Sequence, residues 1–352
     1  MHVSEVTREH LREVLCLFIA TQPSTYAVPF TRLSTGSLNL LVFALLTYIA
    51  ELEGDDSVIF AIEEPEIALP PHAQRRLVDF VLKRMGQVIV TSHSPYVIEK
   101  FEPSRTVALA RDPEGTLTSH GVTLPTDFKP SKYRLYQRQF AEAVLARAML
   151  VVEGATEAAV FPALSDVLEA DPAVDGYVHI DLAGVTVFDA QSDVNVLTFV
   201  PVFKALDKPV YGIHDQPNKP FTPAVQAKTT DFTHYVELEH KSIEKLLVAE
   251  VPIAVQRRFL AQVSHRDDYP SGCPRPSEEA TDDQVRSLTS DVPCARKGDG
   301  YSALLITECT GRSELPAVLA DLLLRIDRDL RPANAPQRSG GDDAPTDETD
   351  EN

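Results

Sequence analysis

What the chain lacks narrows it first. No run of eighteen or more apolar residues occurs, and the amino terminus has no basic start followed by an apolar signal core. The expectation is a cytoplasmic, soluble protein with no membrane partner. Cysteine is scarce, and Cys16, Cys273, Cys294 and Cys309 form no C-x-x-C pair and have no histidine at zinc spacing. That argues against a structural zinc site or a disulfide framework and leaves reduced thiols. Basic residues are in deficit as well: 33 Lys and Arg face 52 Asp and Glu, a formal charge of −19. At first sight that argues against nucleic acid, because neutralisation of phosphates by Lys and Arg drives non-specific binding. Six of the acids sit in residues 341–352 without a base, a disordered-tail composition, yet the remainder is still acidic. Any polynucleotide contact therefore needs a local basic cluster or metal ions held by carboxylates. Finally, no G-x-x-x-x-G-K-[ST] occurs, so no loop here wraps a β-phosphate as P-loop enzymes require.

What is present has the pattern of an α/β protein with parallel strands. Apolar content of 43% in 352 residues supports two ordinary cores. Val58-Ile59-Phe60-Ala61-Ile62-Glu63-Glu64-Pro65-Glu66 is a buried-strand run that stops on acids, and Val88-Ile89-Val90-Thr91-Ser92-His93-Ser94-Pro95 is another that stops on a histidine. Such endings place chemistry at the carboxyl edge of a parallel sheet, where ligand crevices lie. Two adjacent acids there suit a magnesium nucleotide, one holding the ion through water and the other orienting the attacking water. Helices are expected over 37–50, 74–84, 134–148, 156–168, 196–206 and 315–330. Strands are expected over 106–110, 149–152, 178–182, 185–188 and 209–213, with a turn at 112–115 and a loop or insertion over 265–296.

A second constellation follows in the rear half. Glu153-Gly154-Ala155-Thr156-Glu157 comes after an apolar strand, and Asp215 comes after another strand some sixty residues on. Glycine after the first acid suggests a tight turn into a helix, and Glu157 four residues on lies near enough to share one divalent ion with Glu153. Three hard oxygen ligands on one edge suit magnesium or manganese and the activation of water for phosphodiester attack. Asp189 and Asp193 occupy another expected edge loop. His214, beside Asp215, reads as a packed or hydrogen-bonded histidine.

The front motifs resemble the Walker B strand and switch histidine of ABC-type ATPases, in the variant carried by the overcoming-lysogenisation-defect (OLD) family and its SMC-like relatives. In that resemblance Glu63 and Glu64 serve the nucleotide-bound ion and water, His93 is the switch histidine, and Leu33-Ser34-Thr35-Gly36-Ser37-Leu38-Asn39 stands at the ABC signature. Ser34 and Gly36 would there offer a hydroxyl and a backbone N–H to a phosphate at a helix amino end. The rear motif resembles the TOPRIM domain of type II topoisomerases, primases and OLD nucleases. This implies Glu153 as general acid/base or metal partner, and Glu157 and Asp215 as metal ligands. TOPRIM domains often carry D-x-D at the second strand, whereas this chain reads Asp215-Gln216-Pro217. Glu237, Glu239 or Glu244 are candidates for the missing acid, with a charged helix start as the plainer reading, favoured for Glu239. Lys297, in Ala295-Arg296-Lys297-Gly298, resembles the lysine-glycine element after the TOPRIM core and would neutralise charge on a scissile phosphate; the plainer reading is a surface lysine in a glycine-rich turn.

The resemblance implies residues 1–120 as the carboxyl-terminal lobe of an ABC/SMC-like ATPase, 121–147 as a helical connector, 148–332 as a TOPRIM nuclease domain with a carboxyl-terminal extension, and 333–352 as an acidic tail. It further implies a DNA endonuclease or nickase using Mg2+ or Mn2+, acting as a homodimer in phage defence or DNA repair. ATP would be used only with a Walker A supplied elsewhere, as by a partner chain carrying the missing ATPase portion. The competing expectation is a non-catalytic subunit that binds DNA or a partner.

Overall fold

A computed structural model describes residues 18–20, 26–53, 59–111, 115–124, 128, 130–277 and 279–331. Its described residues fall into two compact units, one holding those up to Thr106 and those of 130–145, the other holding the rest.

In the front unit, helix α1 (Thr35–Glu53) precedes strand β1 (Ile59–Glu63), helix α2 (Pro71–Arg84) and strand β2 (Gln87–Thr91). The two strands run parallel, with Glu63 opposite Thr91. Along β1, Phe60 and Ile62 are buried and Ile59 and Ala61 exposed, the period-2 alternation of a sheet packed on one face. Helix α2 begins on Pro71, whose missing N–H costs nothing at that position, and ends on Lys83 and Arg84, which suit the negative end of its dipole. Leu77 and Val81 on its inner face close a small core with Phe43, Phe60, Ile62, Leu69 and Met85. Helix α3 (Pro130–Leu145) belongs to this unit, with the Arg138 guanidinium 5.0 Å over the Tyr96 ring.

The rear unit starts with an antiparallel hairpin, β3 (Val107–Arg111) and β4 (Leu117–Gly121). Then come β5 (Ala148–Val152), α4 (Ala155–Ala170), β6 (Val185–Asp189), α5 (Asp193–Lys204), β7 (Val210–His214) and β8 (His234–Glu237). Five helices follow: α6 (Ile243–Glu250), α7 (Ile253–Val263), α8 (Asp282–Ala295), α9 (Tyr301–Thr307) and α10 (Ala317–Leu330). The four strands form one parallel sheet in the order β8-β7-β5-β6. Every residue of β5 and β7 is buried, as expected for central strands covered on both faces, and this explains their unbroken apolar runs. On one face of the sheet, Ala148, Leu150 and Val152 of β5 and Tyr211 and Ile213 of β7 pack into one large core with Phe161, Leu164, Phe259 and Leu323.

Three expectations are corrected. The strand expected over 178–182 is a helical turn, Ile180–Ala183: the His179 ring accepts the Asp181 N–H and Gly184, at φ 74°, ends the turn in the left-handed region. Residues 265–296 are not all loop, since α8 is started by a capping box in which Thr281 and Gln284 exchange hydrogen bonds with each other's backbone. The charged helix start considered for Glu237 is instead β8, which pairs beside β7 with Glu237 opposite His214. The turn residues 112–114 and the acidic tail over 333–352 lie outside the described residues. Cys273, Cys294 and Cys309 are free thiols, while Cys16 also lies outside. Among the described residues no helix is long and apolar enough to cross a membrane.

Candidate active site

The centre of the parallel sheet sets the rear site. β5 and β7 are neighbours, so the residues just past their carboxyl ends, Glu153 and Asp215, come together at one edge. A Glu153 carboxylate oxygen, Oε2, accepts the Asp215 backbone N–H at 3.1 Å. Glu157 lies in the first turn of α4 and is 5% exposed. Gly154 between them is extended, at φ −160°, a conformation open to any residue. The turn therefore does not demand glycine. What the small residue leaves is room, since a Cβ there would stand 3.4 Å from Glu157 Oε2.

Glu244 completes the group. It sits in the first turn of α6, 2% exposed, where Ser242 caps the helix by accepting the Lys245 N–H. Its Oε1 accepts from the Thr156 hydroxyl at 3.4 Å and lies 3.7 Å from Lys297 Nζ. Of the three glutamates considered for the missing acid, only Glu244 reaches this edge in the interactions described, while Glu237 and Glu239 are exposed. The signal in the sequence was Ser242 followed by Ile243 and Glu244, a helix start that faces an acid into its own first turn.

Electrostatics bind these residues into one system. Burial, then the charges of Asp215, Glu153 and Glu244, push the Glu157 carboxyl up to about 8, against the pull of its own backbone hydrogen bond. Burial, then Glu153 and Glu244, raise Asp215 to about 7, opposed by Lys297. Burial alone would lower the Lys297 ammonium, but Glu244, Glu157 and Asp215 outweigh it and raise it. Asp215 Oδ1 is buried with no hydrogen-bond partner. Among the described residues no three His, Cys, Asp or Glu stand close enough to grip an ion as the side chains lie. The donor chemistry nonetheless fits a hard divalent cation: buried carboxylates that repel one another, one with an orphan oxygen.

His214 is fully buried, its Nδ1 2.6 Å from the Asp215 carbonyl oxygen and its Nε2 bonded to the Tyr235 hydroxyl, so it is the packed and hydrogen-bonded histidine expected. Asp189 turns back on its own loop, accepting the Gln191 N–H at 2.8 Å, and Asp193 accepts the Val194 N–H at 2.6 Å.

In the front unit, Glu63 ends β1 exposed, and Glu64 bends away at φ 43° while its N–H still donates to the Thr91 carbonyl. His93 Nε2 lies 3.7 Å from Glu64 Oε1, so the strand ends bring these two together. Glu66 fastens the two loops, accepting from the Ser92 hydroxyl at 2.7 Å and the His93 N–H at 2.8 Å. Ser34 accepts the Ser37 N–H at 3.3 Å, the role of a helix cap. Gly36 has a packing reason of its own, since a Cβ would fall 2.5 Å from the Ala68 carbonyl oxygen.

Two family models match. The AAA ATPase domain covers residues 5–98, and the overcoming lysogenization defect protein-like TOPRIM domain covers residues 144–216. Residues 144–216 are an OLD-like TOPRIM domain. It contains β5, α4, β6, α5 and β7 and carries Glu153, Glu157 and Asp215, whereas Glu244 comes from α6 and Lys297 from the turn between α8 and α9, both beyond it. The chain is 27% identical over 204 residues to the OLD nuclease of Thermus scotoductus, covering 55% of this chain and 37% of that protein. It is 24% identical over 152 residues to Endonuclease GajA of Bacillus cereus, covering 42% of this chain and 26% of that protein. The match thus spans well under half the length of either relative. The carboxyl-terminal region of the Burkholderia pseudomallei OLD protein aligns at 18% identity and a TM-score of 0.34, over 53% of this chain and 99% of that one.

Proposed function

We propose that the TOPRIM unit is a metal-dependent DNA phosphodiesterase that cuts or nicks its substrate. The observation that carries this reading is the gathering of Glu153, Glu157, Asp215 and Glu244 at one sheet edge, with Lys297 beside them. Similarity to two proteins named as nucleases supports it. Glu157, Asp215 and Glu244 would hold magnesium or manganese, Glu244 taking the place of the absent second aspartate. When bound, such an ion offsets the carboxylate charge and acidifies a water. Glu153 stands over Asp215 as general acid/base or metal partner, its carboxylate holding the Asp215 backbone in place. The Lys297 ammonium, more than half exposed and held toward the site by Glu244, is placed to neutralise charge that grows on the phosphate.

The front unit, with Glu63, Glu64 and His93, is read as the carboxyl-terminal part of an ATPase that needs a phosphate loop from elsewhere. The division at about 120 and 147, the homodimer and a role in phage defence or DNA repair belong to the same reading. The test is nicking of supercoiled plasmid with Mg2+ or Mn2+. Absence of nicking with both ions, or nicking unchanged by Glu153→Ala, overturns it. A second reading, a subunit that binds DNA or a partner without cutting, draws on Gln216-Pro217 standing where TOPRIM domains often carry a second aspartate and on the missing phosphate loop. It predicts DNA retention with no strand breaks under any ion.

A further inference from the structure

A cavity of about 380 Å³ opens on the carboxyl edge of the rear sheet, between the first turn of α5 and the loop that leaves Asp215. None of the four clustered carboxylates lines it. Its walls include Val194, Phe221 and Val225, and Asp193, Asn218 and Lys219 are at its polar rim. We infer that this cavity receives an unstacked nucleobase of the DNA strand whose backbone lies over the neighbouring carboxylates. The inference rests on the phosphodiesterase reading above and adds a subsite to it.

The walls are built into the frame of the candidate site. The Phe221 ring stands edge-on to the His214 ring, centroids 5.4 Å apart at 76°. His214 in turn is fully buried and clamped between the Asp215 carbonyl and the Tyr235 hydroxyl. The loop is further pinned where the Gln216 N–H donates to the His240 carbonyl at 2.9 Å. Phe221 thus packs on the ring that also holds the Asp215 carbonyl, which ties one wall of the cavity to the strand end that carries Asp215.

The chemistry of the lining selects the occupant. An apolar volume of this scale with an aromatic wall fits a flat ring with π faces. The Asn218 amide and the Asp193 carboxylate at the rim match the donors and acceptors of a base edge. A phosphate is disfavoured inside by Asp193, but Lys219, exposed at the mouth of a chain with net charge −19, offers it a cation outside. A base inside with its backbone outside satisfies both. A base within a duplex has its faces covered by its neighbours, so the preferred substrate near the cut is single-stranded or frayed DNA.

The test reads binding without cleavage. A fluorescein-labelled 15-nucleotide single strand and a matched strand made wholly of abasic sugar-phosphate are titrated by fluorescence anisotropy in EDTA against the full chain. Phe221→Ala is expected to weaken the base-bearing strand about tenfold and leave the abasic strand unchanged, with Phe221→Trp restoring the wild-type value. Equal affinity of Phe221→Ala and wild type for the base-bearing strand overturns the inference, as does equal loss on both strands. Failure of the phosphodiesterase reading is separate: it shows as absent nicking in metal while the base-dependent binding persists.

Discussion

Replacing Glu157 by Gln tests the electrostatic account of the rear site directly, because the change keeps shape and removes charge. The carboxyl, 5% exposed, holds its proton up to about 8 in the folded chain against an ordinary 4.5. A group that binds its proton more tightly when folded stabilises most below its unfolded value, and that stability is lost as pH climbs toward the folded one. At about 1.4 kcal/mol per tenfold change in proton affinity, the penalty is roughly 1 kcal/mol at pH 5 and roughly 3 kcal/mol at pH 7. Without metal, the variant should therefore out-stabilise the parent by a gap that widens by roughly 2 kcal/mol between those pH values. For a unit of this size that is roughly 4 to 8 °C in melting temperature. The assay is thermal unfolding by circular dichroism in EDTA at both pH values, repeated with Mg2+ or Mn2+. The ion should raise the parent more than the variant at pH 7, since only the parent has a Glu157 carboxyl that can give up its proton and meet the ion with a charge. A gap that stays constant with pH would show that Glu157 carries no buried charge penalty. A parent indifferent to both ions would show that the carboxylates do not hold one.

Other outcomes follow from the same geometry. Glu244→Gln, which keeps the Thr156 contact but removes the charge facing Lys297, should slow plasmid nicking by at least about tenfold with circular dichroism unchanged; an unaltered rate would remove Glu244 from the site. Gly212→Ala should destabilise the rear unit by about 1 to 3 kcal/mol in denaturant titration, because its Cβ would fall 2.2 Å from Phe232 Cε1. Phe232→Leu in the same background should recover part of the loss, and no effect of the alanine would contradict the packing of β7. The chain alone should not turn over ATP in a phosphate-release assay, and turnover abolished by Glu64→Gln would refute the reading of the front unit.

The front and rear strands were legible because their chemistry is local. Unbroken apolar runs ending on acids, as in Met149-Leu150-Val151-Val152-Glu153, state both the buried strand and the edge position. Helix α2, α4 and α10 follow from periodicity in the same way. Capping escaped the pattern: α8 hides in a polar stretch because Thr281 and Gln284 act through their backbone partners, and the turn Ile180–Ala183 depends on one His179 contact.

By itself, the sequence determined the α/β class and the places of Glu153 and Asp215 just past the ends of their strands, since a strand run and the residue that ends it are contiguous. Only the tertiary structure decided that Glu244, rather than Glu237, joins them. That choice depends on β8 pairing beside β7, across 23 positions, and on the first turn of α6 meeting α4, a contact between residues 88 positions apart. The raised carboxyls are decided there too, because burial and the proximity of like charges exist only once the sheet edge has closed.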